Sequence, residues 1–276
     1  MIALTGSTGA VGGRVAARLS GGGAELRLLV RDASRAPELP NAQVVEFGGY
    51  RDGEGMRRAL DGAERVFLVS AAESEDRLAE HETAVDAAVA AGVEDLVYLS
   101  FLGAAPDATF TLARDHFHTE RYIRERGIDF AFQRNSMYMD FLPGMVGDDD
   151  VIRGPAGAGR FAPVHRDDVA DVAVALLGSK RLDGRSYDVT GADRVSFEEV
   201  AAAISQAWGR TVRFADETLA EARESRSPSG APGWEIEGWV SSYAAVRAGE
   251  LDVRSGAVGD LTGHPPVRLA AFLAAG

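Results

Sequence analysis

The sequence predicts an α/β fold: a doubly wound parallel sheet followed by a smaller mixed α/β C-terminal lobe. Two observations carry that reading. Short runs rich in Val, Leu, Phe and Ile alternate with amphipathic or alanine-rich stretches through the first half of the 276 residues. That is the rhythm of strands buried on both faces and joined by crossover helices. The first run also leads directly into a Gly-x-x-Gly-x-x-Gly turn and then a helical stretch.

Taken in order, the strand-like runs are residues 1–5, 25–30, 43–47, 65–70, 95–100 and 129–134. Helical patterns fall between them at 12–19, 56–60, 74–91 and 112–126. This is enough for a complete Rossmann domain, placed at residues 1–140, with the sheet open to completion by later segments. The smaller lobe is placed at 141–276. Residues 143–159, rich in Gly and Asp, read as a loop. Asp167 is expected to cap a helix running through Leu177, and residues 186–190 read as a strand. Ser196 and Glu199 form a capping box that opens a helix to about Trp208, with a short strand at 211–214. Residues 223–232 read as a loop, and two or three helices finish the chain.

Composition narrows the function. Hydrophobic residues make up 46%, enough for a sizeable core, and no apolar run approaches the roughly 18 residues of a membrane helix. The formal net charge of −13 argues against direct binding of nucleic-acid phosphate. Absence of cysteine excludes disulfides and thiolate chemistry, and a cytoplasmic location is expected. The five histidines are spaced in no pattern that suits a metal, so none is expected. Lys180 is the only lysine.

In the opening stretch, Gly6 permits the tight turn and Gly9 lets backbone N–H groups approach a pyrophosphate. Gly12 lets the helix pack close to the sheet. Ser7, Thr8, Ala10 and Val11 complete the phosphate loop, so a dinucleotide is the expected cofactor. The second strand ends in Arg31, with Arg35 four residues on. Two guanidiniums suit a 2′-phosphate, which favours NADP over NAD despite Asp32.

The chain also carries Gly6-Ser7-Thr8-Gly9-Ala10-Val11-Gly12, Val66-Phe67-Leu68-Val69-Ser70, Val97-Tyr98-Leu99-Ser100, His116 with Thr119-Glu120, and Arg134-Asn135-Ser136-Met137-Tyr138. These motifs resemble those of the NmrA-like atypical short-chain dehydrogenases, in the branch similar to type 2 quinone oxidoreductases. Tyr187-Asp188-Val189-Thr190-Gly191 and Leu261-Thr262-Gly263-His264-Pro265-Pro266 extend the likeness almost to the end of the chain. The resemblance implies that Ser70 and Ala71 line the cofactor, that Arg134 and Asn135 sit beside the nicotinamide, and that Tyr138 lies near the substrate. Gly49 departs from it, since relatives often carry an aspartate there toward the adenine.

Ordinary short-chain dehydrogenases use Tyr-x-x-x-Lys on the helix after the fifth strand, where the lysine lowers the pKa of a proton-donating tyrosine. Here His116 occupies the tyrosine slot and Glu120 the lysine slot. Glu120 is a candidate for ribose hydroxyls. His116 is a candidate proton donor or oxyanion partner, with packing beside the cofactor as an equal alternative. Ser100 is a candidate to hydrogen-bond a substrate oxygen, or else a strand-end cap. Without the standard pair, the expected reaction is NADPH-dependent reduction of a conjugated small molecule such as a quinone, enone or aromatic ketone. A non-catalytic NADP-binding redox sensor with a regulatory protein partner is the alternative. The oligomeric state, including a homo-oligomer, stays open.

Overall fold

The computed structural model describes residues 1–275. Its first strands form where the apolar runs fall: β1 (Ile2–Leu4), β2 (Leu26–Val30), β3 (Ala42–Glu46), β4 (Arg65–Val69), β5 (Asp95–Phe101) and β6 (Asp129–Asn135). Helices α1 (Ala10–Gly21), α2 (Gly53–Leu60), α3 (Arg77–Ala90) and α4 (Thr111–Arg126) connect them. The later elements are β7 (Val151–Gly154), α5 (Arg166–Leu177), β8 (Ser186–Val189), α6 (Phe197–Trp208), β9 (Arg213–Asp216), α7 (Leu219–Arg226), α8 (Gly233–Arg247), α9 (Ala257–Thr262) and α10 (Leu269–Ala275).

The central sheet has seven strands in the order β3-β2-β1-β4-β5-β6-β8, so a later segment does complete it. Pairing is parallel for β1 with β2 and β4, for β2 with β3, and for β4 with β5. Strand order reverses at β1, between β2 and β4, and a doubly wound sheet binds its ligand at such a switch point. β1 is short. Its register sets Leu4 beside Leu28 and Phe67, so β2 and β4 each run two residues further to Val30 and Val69.

The chain separates into two compact units that interleave along the sequence. The first contains Met1–Ser100, Phe117–Arg134 and Asp167–Tyr187; the second contains Phe101–His116, Asn135–Arg166 and Asp188–Gly276. The first unit's core packs Leu29, Met56, Leu60, Val66, Leu68, Tyr98 and Phe132. The second unit's core gathers Phe161, Phe197, Ile204, Tyr243 and Val246, with Phe197 and Tyr243 rings 4.8 Å apart. Fully burying such a side chain contributes about 1.5–3 kcal/mol.

Three expectations need correction. Residues 143–159 are not all loop, because Val151–Gly154 pairs in parallel with β9. This pairing is remote in sequence, and Gly154 is needed because a Cβ there would sit 2.3 Å from the Tyr243 ring. Residues 223–232 are not all loop either. Helix α7 reaches Arg226 behind a capping box of Thr218 and Glu221, a spacing visible in the sequence. Asp167 lies inside the first turn of α5 rather than ahead of it, and it accepts from Arg14 and Arg18. Among the described residues no helix is long and apolar enough to cross a membrane.

Candidate functional site

The phosphate loop is made of backbone. Gly6 has φ +64°, and a Cβ there would meet the Val69 side chain at 3.0 Å. Gly9 closes the turn by donating its own N–H to Gly6 O at 2.9 Å. Gly12 is under the tightest constraint, since a Cβ would fall 2.2 Å from Gly6 O. No side chain caps α1, whose N-cap is Gly9. The first bond of its ladder is Gly13 N–H to Gly9 O, so the N–H groups of Ala10, Val11 and Gly12 precede the ladder. Ser7 Oγ is buried with no hydrogen-bond partner. Donors, positive helix end and glycine cradle together fit an anionic pyrophosphate.

Beside this loop lies a cavity of about 300 Å³ lined by Thr5, Gly6, Thr8, Arg31, Tyr50 and Ser70, among others. Tyr50, which the sequence did not single out, donates to Val69 O at 2.5 Å, and its oxygen lies 2.8 Å from Thr5 Oγ1. It thereby fastens the β3–α2 loop to the ends of β1 and β4, and burial holds its phenol above the ordinary value. Arg31 faces the cavity, and its stem packs over Gly49. Gly49 has φ +91°, so a side chain there, aspartate included, would be strained as well as 3.4 Å from Arg31. Arg35 stands exposed in a 3-10 turn and is not among the lining residues. Asp32 caps that turn by accepting from Ser34 N and Oγ, and the Ser34 hydroxyl holds its carboxylate below the usual range. Arg51, also on the cavity wall, is paired with Asp76 and Glu80 at 2.9 Å each.

A second cluster in this unit centres on Glu120, which is fully buried. Arg134 grips its carboxylate in bidentate fashion at 2.8 and 2.5 Å, and Ser100 Oγ donates to it at 2.7 Å. Arg124 adds a contact at 3.5 Å. The carboxylate expected to reach a ribose hydroxyl is therefore taken by protein donors. Ser100, expected to serve a substrate oxygen, commits its hydrogen to the same acid. Glu120 and Arg134 are 14 residues apart, and nothing in their spacing marks them as partners.

Ala71, in the first unit, is buried between the cavity-lining Ser70 and Ala72, whereas Asn135, Tyr138 and His116 belong to the second. Asn135 and Tyr138 are hydrogen-bonded, and burial pushes the Tyr138 phenol up to about 12, so it keeps its proton at neutral pH. The Arg166 guanidinium lies over Tyr138 at 5.3 Å and over Phe141 at 4.3 Å. Phe141 is 52% exposed, leaving an aromatic face open to solvent. His116 is buried, with its ring near-parallel to Phe101 at 6.3 Å.

The chain matches the NAD(P)H-binding family over residues 6–180. It is 34% identical to a (4-alkanoyl-5-oxo-2,5-dihydrofuran-3-yl)methyl phosphate reductase of Streptomyces griseus, covering 96% of this chain and 94% of that one. It is 31% identical to an NAD(P)H azoreductase of Xenophilus azovorans, with 99% and 96% covered. The structure of an NADPH-dependent quinone oxidoreductase of Escherichia coli complexed with NADPH superimposes with a TM-score of 0.91 at 27% identity, covering 100% and 99%. The chain thus belongs to the NAD(P)H-binding family. Within that class it is an NAD(P)H-dependent oxidoreductase.

Proposed function

We propose that the protein reduces a conjugated small molecule, such as a quinone, enone or aromatic ketone, and prefers NADPH to NADH. One observation carries the acceptor class: α4 offers no phenol–ammonium pair, and the acid in the lysine slot is locked to Arg134 and Ser100. A simple ketone needs a proton as its alkoxide develops. A quinol or enol anion spreads its charge through its own π-system and needs that help less. The acceptors in the relatives' names, a quinone, an azo compound and an unsaturated oxo-dihydrofuran, are likewise conjugated.

In this reading Gly6, Ser7, Thr8, Gly9, Ala10, Val11 and Gly12 hold the pyrophosphate. Arg31 meets the 2′-phosphate, with Arg35 a weaker, outer contact, and Ser70 and Ala71 wall the cofactor. When bound, NADPH supplies the hydride. Asn135 and Tyr138 serve the reacting end, with the protonated phenol as a hydrogen-bond donor. Glu120 acts through Arg134, holding its guanidinium in place. His116 donates a proton only where the acceptor requires one.

The test is NADPH and NADH oxidation against a panel of quinones, enones and ketones, with dinucleotide affinity measured in parallel. Conjugated acceptors should turn over and simple ketones lag. Arg31→Ala should remove about 1.5–3 kcal/mol of the NADPH preference, the worth of a charge-assisted contact, and Arg35→Ala less. Equal affinity of the parent for both dinucleotides would refute the cofactor assignment. Turnover of simple ketones as fast as quinones would refute the acceptor class.

A further inference from the structure

Next to the cofactor cavity is a buried polar cluster that none of the roles above employs. Arg77 is 4% exposed, and His81, Tyr98 and Thr119 are each 0% exposed. A buried polar group left unpaired is costly, so such a cluster persists when its bonds close on a defined target. Here the target is Ala71, between the cavity-lining residues Ser70 and Ala72. Its N–H donates to His81 Nε2 at 2.8 Å, and its C=O accepts from Arg77 Nε at 3.1 Å. Two side chains one turn apart on α3 therefore hold both backbone polar groups of one residue.

The contacts also settle the histidine's tautomer. Nε2 accepts, so the ring is neutral and carries its hydrogen on Nδ1. That nitrogen faces Thr119 Oγ1 at 2.8 Å, with the Tyr98 hydroxyl at 3.4 Å. Thr119 stands on α4 immediately before Glu120, the acid that holds Ser100 and Arg134. A continuous chain of bonds joins the cavity wall at Ala71 to the helix that anchors Arg134.

We propose that Arg77 and His81 are positioning residues for dinucleotide binding. They set the backbone at Ala71, and His81 ties that wall to α4 through Thr119. The inference rests on the cavity being the cofactor site. A residue that merely fills the core would need only a matching shape. Positioning needs an acceptor toward Ala71 and a donor toward Thr119.

The experiment compares His81→Leu, His81→Gln and Thr119→Val with the parent, adding Arg77→Met as a variant that leaves the histidine in place. NADPH affinity is titrated well below each variant's Tm, and kcat and KM are measured with a saturating quinone. His81→Leu should raise Kd and KM for NADPH about tenfold while kcat changes less, a shift set by lost binding free energy. His81→Gln, whose amide keeps an acceptor and a donor, should recover most of the affinity. Arg77→Met and Thr119→Val should move Kd the same way by smaller factors, and they decide the matter if His81→Leu does not fold. Lower Tm with parental Kd in every folded variant would overturn the proposal and leave the cofactor site standing. A parent that does not bind NADPH would overturn the cofactor site, and the proposal with it.

Discussion

The phosphate loop and the Glu120 cluster share one compact unit but are made of different material. The loop uses main-chain N–H groups, a left-handed glycine at Gly6 and a helix end that no side chain caps. The contacts that close its turn, Gly9 N–H to Gly6 O and Gly12 against Gly6 O, lie within seven residues. The cluster joins Ser100, Glu120 and Arg134 from β5, α4 and β6, and it exists only because the sheet brings those elements together. A backbone site tolerates many side chains but almost no added Cβ at its tight points. A side-chain site tolerates backbone slack but cannot lose a partner.

That difference predicts the largest effect at Glu120. Glu120→Ala strands the Arg134 guanidinium, and breaking a buried pair typically costs about 3–5 kcal/mol. The Arg134 side chain keeps 22% exposure, so the low end is expected here. Denaturant unfolding checks it, and Glu120→Gln should lose less, because it preserves the shape and one of the two acceptor oxygens. A loss under 1 kcal/mol for the alanine variant would mean that water replaces the acid.

Gly12→Ala should come next, costing about 1–3 kcal/mol as an overpacked contact, because its methyl meets main-chain oxygen at 2.2 Å. Dinucleotide titration should show affinity falling with stability, since the clash displaces Gly6. Gly9→Ala is the control that sharpens the contrast. Its Cβ meets the same oxygen at 3.2 Å, so the fold should survive with a smaller change. If both variants bind cofactor as the parent does, the loop is not the phosphate site.

The smallest effect is one of pH and belongs to the side-chain region. Burial, reinforced by Arg77, depresses the His81 pKa from 6.5 to about 3. The unfolded chain therefore takes up a proton first, and stability falls as pH drops from about 6.5 toward 3. One pH unit below 6.5 the loss should be about 1.4 kcal/mol for one proton. Comparing unfolding of parent and His81→Gln at pH 7.5 and 5.5 isolates it. An identical pH dependence in the two would remove His81 as its source.

The six opening strands, the glycine turn before α1 and the capping box at Ser196 were legible because each is set by residues close together in the chain. Apolar runs, glycine spacing and Ser-x-x-Glu act over one strand or one helical turn, where excluded volume and hydrogen-bond geometry leave few alternatives. The capping box at Thr218 is equally local, being set by Thr218 and Glu221 three residues apart. Other features had no local signal. Strand β7 acquires its pairing from β9 some 60 residues later. Tyr50 acquires its hydrogen bonds from Thr5 and Val69, and His81 acquires its own from Ala71 and Thr119. The sequence by itself determined the doubly wound class and the glycine turn that opens α1. Only the tertiary structure decided that Glu120 holds Arg134 and Ser100, that Arg31 faces the cavity, and that Arg35 stays outside its lining. Hydrogen bonds between side chains depend on which distant strands become neighbours, and residue spacing does not encode that directly.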